Sequence, residues 1–176
     1  GYEVIIVSAD KDFGQCVGGS VVQLTPPPPG SPTPAWRRLD AAGVTEKFGV
    51  PPERIPDFLA LVGDSVDNIP GLRGVGPKTA AKWIAEHGDL EAVLRAADRL
   101  DPARFREQVA AEAARIRGNL DLVRFKTDFA VDLGTTPARD AAALEAFLSA
   151  MGMEGTLKTF RRREAERIAK AQGELF

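Results

Sequence analysis

The hydrophobic pattern of this chain changes from that of strands to that of helices within its first fifty residues. Residues 4–7 form an unbroken apolar run, which is typical of a buried strand in a parallel sheet. A second strand is predicted at residues 21–24, after a Gly-Gly turn. Further along, apolar residues recur at helical spacing. The chain is therefore predicted to be α/β and mostly helical, with the remnant strands of a parallel sheet at its N-terminus.

The predicted helices are marked at their starts by capping residues or by proline. The dipeptide 33–34 is predicted to cap a helix that carries Trp36 and Leu39, and Pro56 and Pro77 each open a further helix. Trp36, Trp83 and the phenylalanines are predicted to lie in the core because they repeat with the helical period. The remaining predicted helix starts are Asp89, Asp101, Thr136 and Glu154.

Composition excludes several classes of protein. The 176 residues are 44% hydrophobic and 27% charged, as in a globular domain, and the net charge of -2 excludes a protein coated in positive charge. Contact with nucleic acid must come from local basic patches. The single cysteine, Cys16, excludes an intrachain disulfide, and no apolar run approaches the ~20 residues that span a bilayer. We therefore expect a cytoplasmic protein with no membrane partner.

Residues 25–34 contain six prolines together with Gly30 and Ser31. Such a segment cannot form regular helix or central strand, so an extended surface loop is predicted. Two interpretations stay open. The segment is either a tolerated loop insertion, which we favour, or a recruiting site for a proline-binding partner.

Two pairs of aspartates are the candidate catalytic residues. Asp10 and Asp12 follow the first strand two positions apart, so their side chains are predicted to project to one side, with Lys11 on the other. Asp64 and Asp67 are three apart at a predicted helix end. Each pair alone also fits a polar turn or an Asx cap. Converging together, the four carboxylates would repel unless hard cations such as Mg²⁺ or Mn²⁺ neutralised them, and two such ions could activate a water against a phosphodiester.

A glycine-rich hairpin follows the second pair. Gly74-Val75-Gly76 precedes Pro77-Lys78-Thr79, which opens a helix whose first N–H groups are free to bind an anion. This pattern predicts a helix-hairpin-helix element at about residues 63–88 that binds a nucleic-acid backbone through its phosphates without reading bases. The candidate DNA-binding residues are Arg73, Gly74, Gly76, Lys78, Thr79 and Lys82.

The sequence Ser8-Ala9-Asp10-Lys11-Asp12, taken with residues 63–81, resembles the bacterial 5′-nuclease (flap endonuclease) family, which includes the 5′→3′ exonuclease domain of DNA polymerase I. The resemblance is specific from residue 1 to about 95 and covers the C-terminal portion of the nuclease. It implies a DNA replication or repair enzyme, a divalent-metal-dependent 5′→3′ exodeoxyribonuclease or structure-specific endonuclease. All four aspartates match the family's metal ligands.

The resemblance carries further expectations. It implies K⁺ bound by the carbonyls of Gly71, Leu72 and Val75 and bridged to a DNA phosphate. It divides the chain into the C-terminal part of a nuclease core, residues 1–50, and a helical subdomain, residues 51–176. Its partners would be flapped, nicked or 5′-end DNA, together with a missing N-terminal nuclease half or a fused polymerase, and the isolated chain would be inactive or weak. The alternative is a non-catalytic helix-hairpin-helix DNA-binding protein.

Overall fold

The computed structural model describes residues 1–32, 35–132, 134 and 138–173. The chain forms two compact units, Gly1–Thr127 and Asp128–Phe176. Strands, 3₁₀ turns and five of the helices named below lie in the first unit, and two helices form the second. The predicted fold class is confirmed: the chain is mostly helical with small sheets. The division at residue 50 between a nuclease core and a helical subdomain stays a prediction.

The first unit begins with a three-stranded sheet. β1 (Val4–Val7) pairs in parallel with β2 (Val21–Thr25), and β2 pairs antiparallel with β3 (Arg37–Leu39). The order β1-β2-β3 places β1 at an edge. The prediction that β1 is buried was wrong for this chain, since Ile5 is 60% and Val7 61% exposed. Within the described residues, no strand pairs with the free edge of β1.

The segment before the first helix is strand rather than helix. α1 (Ala41–Phe48) begins after Asp40, whose carboxylate accepts a hydrogen bond from the Gly43 N–H at 2.9 Å. Trp36 and Leu39 therefore lie outside the helix predicted for them. Leu39 lies in β3, where pairing with β2 outweighs the local helix signal, and Trp36 directly precedes that strand. The predicted cap at 33–34 lies outside the described residues.

The rest of the first unit is a helical layer around one apolar core. Two short strands, β4 (Gly63–Asp64) and β5 (Ile69–Pro70), lie between its helices α2 (Ile55–Val62) and α3 (Pro77–His87). α4 (Leu90–Arg95) and α5 (Arg106–Val123) complete the layer. Its centre is formed by fully buried side chains, among them Ile55, Leu59, Leu61, Trp83, Leu90 and Ile116. The core position predicted for Trp83 is confirmed, whereas Trp36 is 54% exposed.

Some of the predicted helix starts are confirmed and others are not. Asp89 caps α4 by accepting the Ala92 N–H at 2.8 Å, as predicted. Asp101 does not cap a helix, because its carboxylate accepts a hydrogen bond from Lys82 at 2.6 Å. Thr136 lies outside the described residues. In the second unit, α6 (Ala141–Ala150) begins after Asp140 and α7 (Glu154–Gly173) begins at the predicted residue.

Within the part of the chain that the structure describes, no helix combines the length and the apolarity needed to cross a membrane.

Candidate metal centre and phosphate-binding hairpin

The loop after β1 turns the chain into a 3₁₀ helix, Asp12–Cys16. The Ser8 hydroxyl accepts the Asp10 N–H at 3.1 Å, and the Asp10 carboxylate accepts the Asp12 N–H at 3.0 Å. Strand geometry therefore ends at Val7, and Asp12 lies at the start of a helical turn. The strand geometry from which Asp10 and Asp12 were predicted to project to one side is therefore absent at these residues, because both follow the strand in a capped turn.

Asp64 is the last residue of β4, two residues after α2 ends, and Asp67 lies in the turn that joins β4 to β5. β4 and β5 pair through Gly63–Pro70 and Asp64–Ile69, which brings the intervening residues into a narrow loop. The Asp64 carboxylate accepts the Val66 N–H at 2.9 Å. The turn between β4 and β5 thus places Asp67 at its exposed tip, while Asp64 is buried at its base.

Three of the four predicted aspartates converge. One carboxylate oxygen each from Asp12, Asp64 and Asp67 lies within 4.8 Å of the others. Asp10 is outside this group and caps the backbone of Asp12 instead. It remains close enough for its charge to act on Asp12. The structure thus brings together three of the four predicted aspartates, and the metal-binding role of all four stays a prediction.

The carboxyl of Asp12 is in an unfavourable electrostatic environment without a cation. It is 9% exposed, and its buried Oδ1 atom has no hydrogen-bond partner among the described residues. Burial, followed by the charges of Asp10, Asp64 and Asp67, raises the pKa of Asp12 to about 6 from 3.8. A buried carboxylate oxygen that lacks a donor is normally stabilised by an ion or a proton.

Lys11 extends into the cluster. Its Nζ atom lies 2.8 Å from Asp64 Oδ1, so the prediction that Lys11 points away from the acidic residues was wrong. The reason is local: Lys11 has helical backbone angles, φ -74° and ψ -21°, so the alternation of a strand does not apply to it. Burial of Asp64 opposes ionisation, but the hydrogen bonds from Lys11 and from the Val66 N–H outweigh it and lower the pKa of Asp64.

The cluster fits a hard divalent cation. Oxygen donors are the ligands that Mg²⁺ prefers, and two oxygens bound to one ion at ~2.1 Å lie at most ~4.2 Å apart. The three carboxylate oxygens lie up to 4.8 Å apart, so small side-chain rotations would bring them within the distance that one ion requires. The Lys11 ammonium already occupies a position where positive charge neutralises Asp64.

The hairpin between β5 and α3 exposes its backbone while its apolar side chains are buried. Leu72 and Val75 are 3% and 5% exposed. The Leu72 N–H donates to Leu61 O at 2.9 Å, and the Val75 N–H donates to Leu72 O at 3.0 Å. These contacts fix the loop against α2, directly before the N-terminus of α3, where free N–H groups favour an anion.

The glycines of the hairpin have different structural roles. Gly74 has φ +78°, which favours glycine. At Gly71 a Cβ atom would lie 2.1 Å from the Val62 carbonyl oxygen, so any side chain would displace the backbone. Gly76 has φ -94° and open space around a built Cβ atom. Position 76 therefore does not require glycine, since its backbone is extended and unobstructed.

The candidate phosphate-binding side chains are not equally available. Arg73 and Lys78 are exposed beside the hairpin, and Thr79 is half-buried in the first turn of α3. Lys82, one turn further, forms an ion pair with Asp101 at 2.6 Å and lies 3.9 Å from Glu86. Its charge is thus already compensated, which makes it a weaker candidate for binding DNA.

Two residues of α5 that sequence reasoning missed hold the hairpin. The Asn119 amide, 4% exposed, donates to Ala60 O at 3.1 Å and to Pro70 O at 2.8 Å. Arg115 donates to Pro70 O and, at 3.3 Å, to Gly71 O. The available signal was an asparagine three residues after the apolar Ile116, on the face that α5 buries. Gly71 O and Leu72 O, both predicted K⁺ ligands, thus already accept hydrogen bonds.

The sequence of this chain is similar to that of several DNA polymerases I. The chain is 39% identical over 162 residues to the thermostable DNA polymerase I of Thermus thermophilus, covering 91% of this chain and 18% of that protein. It is 40% identical over 145 residues to DNA polymerase I of Rhizobium leguminosarum, covering 82% and 13%. The chain therefore spans less than a fifth of the length of these relatives.

The fold also matches that of a solved nuclease. The chain resembles the flap endonuclease of bacteriophage T5, crystallised as a pseudo-enzyme–product complex with DNA and metal ions, with a TM-score of 0.59 and 22% identity over 69% of this chain and 43% of that one. At this identity the likeness shows the fold. Residues 50–144, more than half of the chain, match the profile of one family. This match confirms the resemblance predicted from the two motifs: the chain belongs to the family described as 5'-3' exonuclease, C-terminal SAM fold.

Proposed function

We propose that this chain supplies part of the metal centre and the DNA-binding hairpin of a 5′→3′ exonuclease or flap endonuclease that hydrolyses phosphodiesters near 5′ ends or flaps. The observation that carries the proposal is the carboxylate of Asp12. It is buried, it converges with Asp64 and Asp67, and one of its oxygens has no hydrogen-bond partner in the part of the chain that the structure describes. The curated relatives, which are DNA polymerases I, support a DNA substrate.

Asp12, Asp64 and Asp67 would hold Mg²⁺ or Mn²⁺, with Asp10 fixing the backbone of Asp12. When bound, the metal supplies an activated water and stabilises charge on the phosphate. The protein contributes the placement of the carboxylates. Lys11 neutralises Asp64 in the absence of metal, so it reduces the repulsion that would otherwise open the cluster.

The hairpin would hold duplex DNA by its phosphates. We assign direct contact to Lys78, Thr79 and the backbone N–H groups of Gly74 and Gly76, at the positive end of α3. Arg73 is exposed on the same loop and would add a further contact. Because these groups bind phosphate rather than base edges, binding would depend on salt concentration and not on sequence.

A monovalent cation at the hairpin is part of the proposal. The carbonyls of Gly71, Leu72 and Val75 would share K⁺ with a DNA phosphate, using the second lone pair that each carbonyl oxygen retains. The Arg115 guanidinium beside Gly71 O weakens such a site by charge repulsion. Duplex binding in KCl, compared with binding in tetramethylammonium chloride at equal ionic strength, tests this: equal affinity would remove K⁺ from the proposal.

The exposed edge of β1 supports a larger catalytic unit. An unpaired strand edge with exposed apolar side chains is an interaction surface, and the chain covers less than a fifth of its relatives. We propose that the N-terminal half of a nuclease extends this sheet and adds metal ligands. Residues 1–50 would then complete the nuclease core, residues 51–176 would form the helical subdomain, and a polymerase would be fused as in the relatives.

Reconstitution tests the proposal. The chain alone should cleave a labelled 5′-flap substrate weakly or not at all, and addition of the N-terminal half of a related nuclease should give Mg²⁺-dependent cleavage that is lost in Asp12→Asn and Asp67→Asn. Asp98→Asn, which changes an exposed aspartate of the first unit, is the matched control.

Two results would contradict the assignment. Strong cleavage by the chain alone would show that no further half is needed, and cleavage by the reconstituted Asp67→Asn variant would remove that residue from the metal centre. Duplex binding without any cleavage in the reconstituted parent would favour the alternative, a non-catalytic helix-hairpin-helix DNA-binding protein.

A further inference from the structure

The loop that carries Asp10 and Asp12 is bound by a buried glutamine of the neighbouring strand. Gln23 lies on β2 and is 2% exposed. Its Nε2 atom donates to Ser8 O at 2.9 Å and to Asp10 O at 2.6 Å. Both amide hydrogens are therefore used on one short segment that lies between β1 and the 3₁₀ helix.

A second glutamine, Gln15, binds the carbonyl of Asp12 at the end of the same segment. Gln15 Nε2 donates to Asp12 O at 3.0 Å and to Val123 O at 2.9 Å, and its Oε1 atom accepts the Phe125 N–H at 3.0 Å. The Phe13 and Phe125 rings also meet edge to face, with centroids 5.4 Å apart. The 3₁₀ helix that begins with Asp12 is thus joined to the C-terminal end of α5.

We propose that Gln23 and Gln15 are positioning residues for the metal centre. Together they bind three backbone carbonyls, those of Ser8, Asp10 and Asp12, in the segment that places the Asp12 carboxylate beside Asp64 and Asp67. The inference rests on the proposed metal-dependent function. It goes further by assigning the geometry of the site to two uncharged side chains that hold no metal themselves.

The physical reason is the repulsion within the cluster. Three carboxylates that converge within 4.8 Å without a metal favour any movement that separates them. The segment between β1 and the 3₁₀ helix has few ladder hydrogen bonds to resist such movement. The amide groups of Gln23 and Gln15 resist such movement because they bind the carbonyls of this segment. The segment therefore loses less conformational freedom when a metal binds.

The strand that carries Gln23 also offers a matched control. Thr25 lies two residues further along β2, on the same face, and its buried hydroxyl oxygen has no hydrogen-bond partner within residues 1–32, 35–132, 134 and 138–173. Thr25→Val therefore removes a polar atom from the same surface without removing a hydrogen bond. Gln23→Met removes both hydrogen bonds at similar side-chain volume.

The experiment measures Mn²⁺ affinity of the whole chain by isothermal titration calorimetry at pH 7.5. Removing residues that orient metal ligands costs roughly tenfold or more in metal affinity. We expect Gln23→Met and Gln15→Met each to weaken Mn²⁺ binding by roughly that factor, with Thr25→Val unchanged. Val44→Ala, which truncates a fully buried core side chain of α1, controls for a general loss of stability and should keep the parent affinity.

The outcomes separate this inference from the proposed function. Parent-like Mn²⁺ affinity in Gln23→Met and in Gln15→Met would overturn the positioning role, and so would an equal loss in Val44→Ala. If Gln23→Met does not fold, Gln15→Met decides, because its side chain is only half-buried. Failure of Asp12→Asn to weaken Mn²⁺ binding would instead refute the metal centre itself.

Discussion

Replacing Asp12 by asparagine should stabilise the metal-free chain at neutral pH while it weakens metal binding. Burial and the charges of Asp10, Asp64 and Asp67 raise the pKa of Asp12 to about 6 from 3.8. Because the folded-state pKa is the higher one, the stability that protonation contributes is complete below pH 3.8 and is lost as the pH rises through 6. At about 1.4 kcal/mol per pKa unit, the ionised carboxylate costs the metal-free fold up to about 3 kcal/mol at pH 7.5.

Urea denaturation in EDTA measures this cost. Asp12→Asn should exceed the parent in free energy of unfolding by up to about 3 kcal/mol at pH 7.5, and the difference should shrink to about 1 kcal/mol at pH 4.5, where the folded parent is protonated. Asp98→Asn, an exposed control, should match the parent. Excess Mn²⁺ should stabilise the parent far more than the variant. An Asp12→Asn chain that is no more stable than the parent at pH 7.5 would refute the reasoning.

Three further substitutions separate the other parts of the site. Gly76→Ala should bind a labelled DNA duplex like the parent, whereas Gly76→Asp should bind more weakly because a carboxylate would lie beside the phosphate; equal binding of both in fluorescence anisotropy would remove the hairpin as the DNA contact. Lys78→Ala should lower the salt slope of the binding constant by about one unit across a KCl series, and an unchanged slope would exclude a phosphate contact. Gly71→Ala should lower the melting temperature, because its Cβ atom would overlap a carbonyl oxygen at 2.1 Å, and a parent-like melting curve would contradict that packing.

The sequence predicted the parts of this molecule that depend on short-range pattern. Local residue types and spacing predict the first two strands, the start of α3 at Pro77, the cap at Asp89 and the glycine-rich hairpin. The aspartates were also recognisable, because acidic pairs near a glycine-rich hairpin are a local pattern.

The parts that could not be predicted depend on where the backbone leaves its regular path or on distant partners. Lys11 enters the cluster because the strand ends before it, and a strand-based argument therefore assigned its side chain to the wrong face. Asp101 forms an ion pair with Lys82 rather than a cap, because a tertiary partner outweighs its local preference. The roles of Gln23 and Asn119 follow from contacts with carbonyls 13 to 59 residues away, which no local pattern contains.

Anomalous diffraction from crystals grown with MnCl₂ tests most directly whether this chain contributes a metal centre. We predict a manganese peak bounded by the carboxylates of Asp12, Asp64 and Asp67, with the Lys11 ammonium displaced from Asp64. Crystals of Asp12→Asn grown in the same way should lose the peak or show it at much lower occupancy. A parent map without a peak at this cluster, at a Mn²⁺ concentration that saturates the chain in solution, would contradict the account.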